Sequence, residues 1–345
     1  MFSRKNRQKF PRGEKMRRTL ISAVAAAAVT ASLFAATPAQ AAEVDIKGSG
    51  SSFAGNFLID CASRYTAKTG NKVSYTATSS GRGRASFLAK TDDFAGSDSL
   101  YGPTEATPGE YKVVPVIGGP VAIVFNVAGV NNLRLDAKAV SDIFSGAITK
   151  WNDPAIAKLN PTATLPDKNF VVVYRSSNSG TTQNFQEYLY QNAVGPWPTG
   201  NQAWVGVKTG SGQSTSADLV AKVKATSGGI GYADLSDVSV KLGKATLKNA
   251  KGEFVKPSVA SASKMLSGQK IAADGSMTID FKKKIAGAYQ LSIVTYLMIP
   301  TTGDKRSATK AFATYAVDTC SKKPVAGFAG FTGANYTTAL KRASS

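Results

Sequence analysis

The run from Arg175 to Thr182 (Arg-Ser-Ser-Asn-Ser-Gly-Thr-Thr) sets a fixed guanidinium beside hydroxyl donors and a glycine. It follows the β-branched run Phe170 to Tyr174, which reads as a buried strand, and precedes a helix over Thr181 to Gln191. A strand–loop–helix junction of this kind aims unpaired backbone N–H groups outward at the positive end of the helix dipole. Gly180 lets an anion approach the backbone, Ser179 and Thr181 add hydroxyls, and Arg175 can hold two oxygens at once. The chemistry is capture of an oxyanion. Ordinary N-capping uses the same residue types, so this segment alone leaves both readings open. It is not a G-x-x-x-x-G-K-[ST] phosphate loop, because no lysine follows the glycine.

Two further segments share this character. Gly48 to Phe53 reads as a glycine and serine loop opening a helix, and Ser79 to Arg84 follows a strand that ends near Thr78. Either alone is compatible with a simple turn. Three such junctions fit the rule that anions bind beyond the carboxyl ends of strands in open α/β sheets. Asp98 by itself reads as a helix cap or a surface aspartate.

The elements that must position these residues alternate in an α/β order. Helices are expected over Phe57 to Lys68 (closed by Gly70), Ala137 to Phe144, Thr181 to Gln191, Ala217 to Lys224 and Ser307 to Ala316. Strands are expected over Lys72 to Thr78, Phe170 to Tyr174, Ile230 to Tyr232 and Ser292 to Ile299. The apolar run Val113 to Val127 reads as two strand pieces around Gly118 to Pro120. Lysine-rich, irregular sequence fills Lys241 to Lys284. Without repeats or a low-complexity linker, two lobes joined by crossing strands fit better than two domains in tandem.

Composition narrows the function. A basic stretch from Arg4 to Arg18, an uncharged alanine-rich run from Leu20 to Ala36, and Ala39-Gln40-Ala41 make residues 1–41 a signal peptide cut after Ala41, the alternative being a retained membrane anchor. No cysteine near the cut supports lipid attachment. That leader carries eight of the 42 basic residues and one of the 22 acidic ones, so 34 basic and 21 acidic residues remain, a net charge of +13. This favours anionic partners, although scattered solubilising lysines explain it as well. Nothing forms the concentrated basic tract of a nucleic-acid binder. Cys61 and Cys320 are the only cysteines, and in an exported chain they suggest one disulfide, with two buried thiols as the alternative. Histidine is absent, which removes the commonest general base and zinc ligand. An exported phosphatase built on the same cradle would need a nucleophile with its base, or clustered metal ligands, and the sequence offers neither.

Taken in order, the stretches Gly48 to Phe53, Thr69 to Tyr75, Asp93 to Asp98, Pro115 to Pro120, Ile143 to Pro161, Val172 to Thr182 and Gly228 to Tyr232 resemble the phosphate-binding proteins of bacterial phosphate-specific ABC transporters, the PstS-like family. The likeness spans most of residues 46 to 235 and is weak beyond them. It implies an α/β, two-lobed periplasmic-binding-protein fold (venus-flytrap, type II) with two crossover strands. Residues 42–120 plus 290–345 would form lobe 1, and residues 121–289 lobe 2. Inorganic phosphate would sit in the interlobe cleft against the Ser52 hydroxyl, the Phe53 backbone, Ser80, Asp98, Arg175, Ser179, Gly180 and Thr181. Ser52 stands where threonine is frequent. Ser177 stands where relatives often carry an aspartate that orients the arginine. Arg82 and Arg84 stand where neutral residues are usual, and are expected to make the cleft more positive.

The implied activity is extracytoplasmic phosphate capture and delivery to the permease of an ABC importer. The protein would act as a monomer, without catalysis, cofactor, metal or nucleic acid. The alternative is a secreted scavenger, sensor or surface adhesin not coupled to uptake.

Overall fold

A computed structural model of the chain describes residues 44–193, 195–238 and 241–345; the expected leader lies outside them. Among the described residues no helix is long and apolar enough to cross a membrane.

The first half-sheet starts with β1 (Ile46–Gly50), followed by α1 (Gly55–Thr69), β2 (Val73–Ala77), α2 (Ser80–Leu88), β3 (Phe94–Ser97) and the long β4 (Tyr111–Asn126). Phe57, Leu58, Cys61, Ala62 and Tyr65 form the buried stripe of α1, and Gly70 ends the helix at φ 79°, its N–H donating to the Thr66 carbonyl. Then come β5 (Arg134–Leu135), α3 (Ala137–Ser145), α4 (Pro154–Leu159), β6 (Val171–Arg175), α5 (Gly180–Asn192), β7 (Ser211–Gln213), α6 (Ser216–Ala225) and β8 (Gly229–Asp234). Three short strands, β9 (Gly243–Lys244), β10 (Thr246–Lys248) and β11 (Phe254–Val255), precede α7 (Val259–Ser267). The chain closes with β12 (Ser292–Pro300), α8 (Arg306–Tyr315), a π-helical turn (Ala316–Cys320) and α9 (Gly333–Ser344).

Two lobes share the principal sheet. In the first, β1 lies between β2 and β3, parallel to both, and β12 runs antiparallel between β3 and β4. In the second, β4 pairs antiparallel with β8, which is parallel to β6, itself parallel to β7. The apolar run expected as two pieces is one strand of 16 residues. What changes at the glycine–proline site is its partner: Tyr111 to Pro120 pairs with β12, and Val121 to Asn126 with β8. The return crossing lies alongside, since the Val121 N–H donates to the Leu291 carbonyl (2.9 Å).

Other expectations need correction. Gly48 to Gly50 lie within β1 rather than in a loop, β3 was not anticipated, and the "irregular" lysine-rich segment contains α7 and three short strands. A further helix, α9, follows Ser307 to Ala316 and was not anticipated. Parts of residues 259–281, expected in the second lobe, touch the first. A Cβ on Gly118 would lie 2.3 Å from the Leu266 Cδ1, the Ile271 N–H donates to Asn335 Oδ1 (3.0 Å), and the Met277 N–H donates to the Tyr296 hydroxyl (3.2 Å).

Cys61 on α1 and Cys320 at the end of the π-helical turn form a disulfide across 259 residues, with Cα atoms 5.7 Å apart. It ties the two ends of the first lobe together, a loop closure worth on the order of 5 kcal/mol in the chain-entropy account.

Candidate functional site

Five strands deliver their carboxyl ends to one place. From the first lobe come the turn Ser51 to Ala54 after β1, the start of α2 after β2, and Asp98 after β3. From the second come Arg175 and the start of α5 after β6, and the start of α6 after β7. Ser79, Ser179 and Thr215 cap α2, α5 and α6 by accepting from the N–H groups of Arg82, Thr182 and Asp218. Capping and cradle-building therefore coexist: the Ser179 oxygen is occupied as a cap, while its proton remains free to be donated.

Asp98 organises one flank. Its carboxylate is 3% exposed and is met by hydroxyls on both oxygens. Oδ1 accepts from Ser51 Oγ (2.6 Å) and from Thr295 Oγ1 (2.7 Å). Oδ2 accepts from Thr181 Oγ1 (3.1 Å) and from Ser80 Oγ (3.4 Å). Burial raises the carboxyl pKa, against the opposing pull of the Ser51, Thr295 and Thr181 hydroxyls and the Arg175 charge. The Asp98 carbonyl accepts from Asn184 Nδ2 (2.7 Å), which fastens it to α5 of the other lobe.

Arg175 organises the other flank and is 1% exposed. Its Nε and Nη2 donate to the Ser214 carbonyl (3.0 and 2.6 Å). Nη2 also reaches the Thr78 carbonyl (3.3 Å) and Ser177 Oγ (3.1 Å). Nη1 points to Ser216 Oγ (3.5 Å). Ser177 thus accepts from the guanidinium, and its own hydroxyl donates to the Ser214 carbonyl (2.9 Å). Behind the arginine, the Tyr232 hydroxyl accepts from the Arg175 N–H (3.2 Å) and bonds Thr182 Oγ1 (2.7 Å). Burial pushes that phenol up to about 12, so it stays neutral.

The flanks meet across the lobes. The Ser216 N–H donates to Ser52 Oγ (3.0 Å). The Gly81 N–H, at the start of α2, donates to the Asn178 carbonyl (3.0 Å). Gly180 packs so closely on the first lobe that a Cβ there would lie 2.5 Å from Ser80 Oγ and 2.9 Å from the Asp98 Cβ. Phe53 is fully buried with its ring against Phe328, so only its backbone is available to a ligand. Ser52, Phe53, Ser80, Asp98, Arg175, Ser179, Gly180 and Thr181 are therefore gathered at one interlobe locus.

Arg82 and Arg84 do not join them. Arg82 is exposed on α2. Arg84 is buried and turned to Glu105 (2.7 Å), the Leu100 carbonyl and the Tyr101 ring. The expected gain in cleft charge from that pair is absent because Glu105 takes up the Arg84 charge. The motif around Trp151 and Asn160 is likewise structural. Trp151 is fully buried against Phe170, and Asn160 bonds the Arg134 backbone at both N–H (2.7 Å) and carbonyl (2.9 Å).

Three site residues escaped the sequence reading. Ser216 opens a fourth strand–loop–helix junction, a signal that was there to be used. Thr295 is one hydroxyl in the apolar run of β12, and Ser51 adjoins a residue already singled out.

Comparison with known proteins gives concordant results. The model of the PBP superfamily domain matches residues 35–319. The chain is 34% identical over 268 residues to the phosphate-binding protein PstS 3 of Mycobacterium leprae, covering 74% of this chain and 73% of that one. It is 34% identical over 275 residues to the phosphate-binding protein PstS of Xylella fastidiosa, with 76% and 73% covered. A high-affinity periplasmic phosphate-binding protein, solved with phosphate bound, superposes with a TM-score of 0.70 at 21% identity, over 86% of this chain and 92% of that one. At that identity the likeness is one of fold.

Proposed function

Because the chain belongs to the PstS-like phosphate-binding proteins of the PBP superfamily, we propose that its interlobe cradle binds protonated inorganic phosphate outside the cytoplasm and releases it to the permease of an ABC importer. Asp98 is the observation that carries this reading. A buried carboxylate among anion-type donors makes sense when the ligand brings its own proton, and hydroxyls and amides then replace the ligand's water in a dry site. Ser52, Ser80, Ser179 and Thr181 supply hydroxyl protons, Phe53 and Gly180 supply backbone N–H groups, and Arg175 supplies the fixed charge. The reading is of binding rather than reaction: Asp98 accepts the ligand's proton in a hydrogen bond, and the hydroxyls around it act as donors. The protein works as a monomer whose lobes close by a hinge at Pro120–Val121 and Leu291–Ser292.

Calorimetric titration of residues 42–345 with phosphate, arsenate, sulfate and phosphate monoesters tests this. Phosphate is expected to bind with micromolar or tighter affinity, about −8 kcal/mol or better, and esters should not be hydrolysed. Sulfate binding as strong as phosphate binding would overturn the assignment. Uptake in a deletion strain separates delivery from scavenging: unchanged uptake would favour a free scavenger.

Gly180→Ala is a sharper probe of closure. Gly180 is in the first turn of α5, where alanine is a good helix former, yet its Cβ would meet Ser80 and Asp98 at under 3.0 Å. The variant should keep the melting temperature of the ligand-free protein and lose phosphate affinity by at least about tenfold, the equivalent of 1.4 kcal/mol. Unchanged affinity would mean that the lobes close without this contact.

A further inference from the structure

The net charge of +13 outside the leader is not scattered. Residues 241–284 contain ten lysines, no arginine and three acidic residues, a net of +7 within 44 residues. Nine of these lysines are exposed. None of the ten takes part in any of the five ion pairs among the described residues.

The fold draws three of them together. The Glu253 carboxylate accepts from the Gly287 N–H (2.7 Å) and from Asn249 Nδ2 (2.8 Å), and Lys251 and Lys264 are the cations that act on it. Lys264 Nζ lies 2.8 Å from where a Cβ on Gly287 would stand. Lys283 donates to the Gly268 carbonyl just beyond α7, in the same neighbourhood as Lys264, and exposed Lys282 and Lys284 flank it. Lys251 and Lys264 thus flank one carboxylate, with Lys283 beside the end of α7.

We propose that this lysine face adsorbs the protein onto an anionic lipid bilayer. This goes beyond the phosphate reading and rests on it in one respect, that a carrier delivering to a membrane permease gains from staying near the membrane. The chemistry of the face selects this partner. Lysine ammonium groups are mobile point charges without the fork geometry of arginine, and lysine is depleted from the cores of protein–protein interfaces. The only exposed large apolar residue in residues 241–284 is Val259, so the face carries no aromatic or aliphatic anchor for a pre-shaped pocket. A fluid array of anionic headgroups needs neither, and each lysine brought near such a surface adds to the attraction.

The test is sedimentation of residues 42–345 with vesicles. Binding is expected to mixed phosphatidylglycerol–phosphatidylcholine vesicles, not to pure phosphatidylcholine, and should fade at high salt. Lys251→Glu, Lys264→Glu and Lys283→Glu combined should reduce it by at least about tenfold, since each lysine near the surface counts for roughly fivefold. The same three changed to Gln should give a smaller loss in the same direction. A control with Lys72→Glu, Lys158→Glu and Lys222→Glu has the same net charge and should bind vesicles close to wild type. Equal loss in the control, no wild-type binding to mixed vesicles, or capture of soluble polyphosphate without vesicle binding would each overturn the proposal. Phosphate titration of every variant reports the cradle separately, so failure there cannot be mistaken for failure of the lysine face.

Discussion

Asp98→Asn is expected to admit sulfate to a site that excludes it in the wild type. The geometry localises the change. Asparagine can leave its Oδ1 facing Ser51 and Thr295, whose hydroxyls approach to 2.6 and 2.7 Å. Its Nδ2 then stands where Oδ2 meets Thr181 and Ser80, on the side that faces Gly180. An acceptor that demanded a proton from the ligand becomes a donor. An ionised carboxylate has about four acceptor positions, and the four hydroxyls around Asp98 occupy them. A ligand proton must therefore displace one, and the Ser80 contact, the longest at 3.4 Å, is the one to yield. Sulfate has no proton to offer and would leave a buried charged acceptor unpaired and facing like charge, a loss beyond that of a neutral group, about 4 kcal/mol or more and roughly a thousandfold. Competition titrations should show no sulfate effect on wild type at millimolar concentration, measurable sulfate binding by Asp98→Asn, and a smaller change for phosphate. The comparison is made at two salt concentrations, because a chain with a basic surface attracts any anion weakly and salt screens that part. Wild type that binds sulfate as readily as phosphate would remove Asp98 from the role assigned to it.

Much of this site was legible in the sequence because its parts are local. Arg175 to Thr182 declares a strand end, a cap and a glycine in eight residues, and the structure keeps all three. What stayed hidden depends on contacts distant in the chain. β1 looks like a loop because it is rich in glycine and serine, but those residues are small for a reason: a Cβ on Gly48 would lie 2.4 Å from the Phe94 ring, and one on Gly50 2.0 Å from the Gly96 carbonyl. The strand is narrow where β3 presses on it. Thr295 reads as one polar residue in a buried strand until β12 is placed against β3, which brings it to Asp98, 197 positions away. Arg84 misled for the converse reason. Its position beside Ser80 suggested a ligand charge, whereas one helical turn directs it to Glu105. α7 was masked by its setting: lysines crowd the surrounding surface, while Ala262, Met265 and Leu266 face inward.

Arg175→Ala should weaken phosphate binding by at least about tenfold, and a loss near a hundredfold is in keeping with a charge-assisted contact of about 1.5–3 kcal/mol. The structure revises how the arginine acts. Nε and Nη2 are committed to the Ser214 and Thr78 carbonyls and to Ser177 Oγ, so the guanidinium is anchored by one edge and Nη1 is the nitrogen aimed toward Ser216 and Ser52. Burial lowers its pKa from a high starting value, and an arginine remains charged through such a shift. A lysine ammonium carries its donors on one nitrogen and lacks the planar fork that grips the Ser214 carbonyl through Nε and Nη2 while Nη1 faces the site, so Arg175→Lys should recover little of the lost affinity. Removal of the side chain also leaves buried carbonyls unpaired, so the ligand-free variant should melt earlier, and binding must be measured well below that temperature. Arg82→Ala supplies the contrast: the residue is exposed, and its loss should leave phosphate affinity within about twofold, as is ordinary for a surface charge. Arg84→Ala should lower stability through Glu105 and the Tyr101 ring without a matching loss of affinity. Normal binding by Arg175→Ala with weakened binding by either α2 variant would mean that this chain holds its anion at the start of α2, and the assignment of Arg175 would fall.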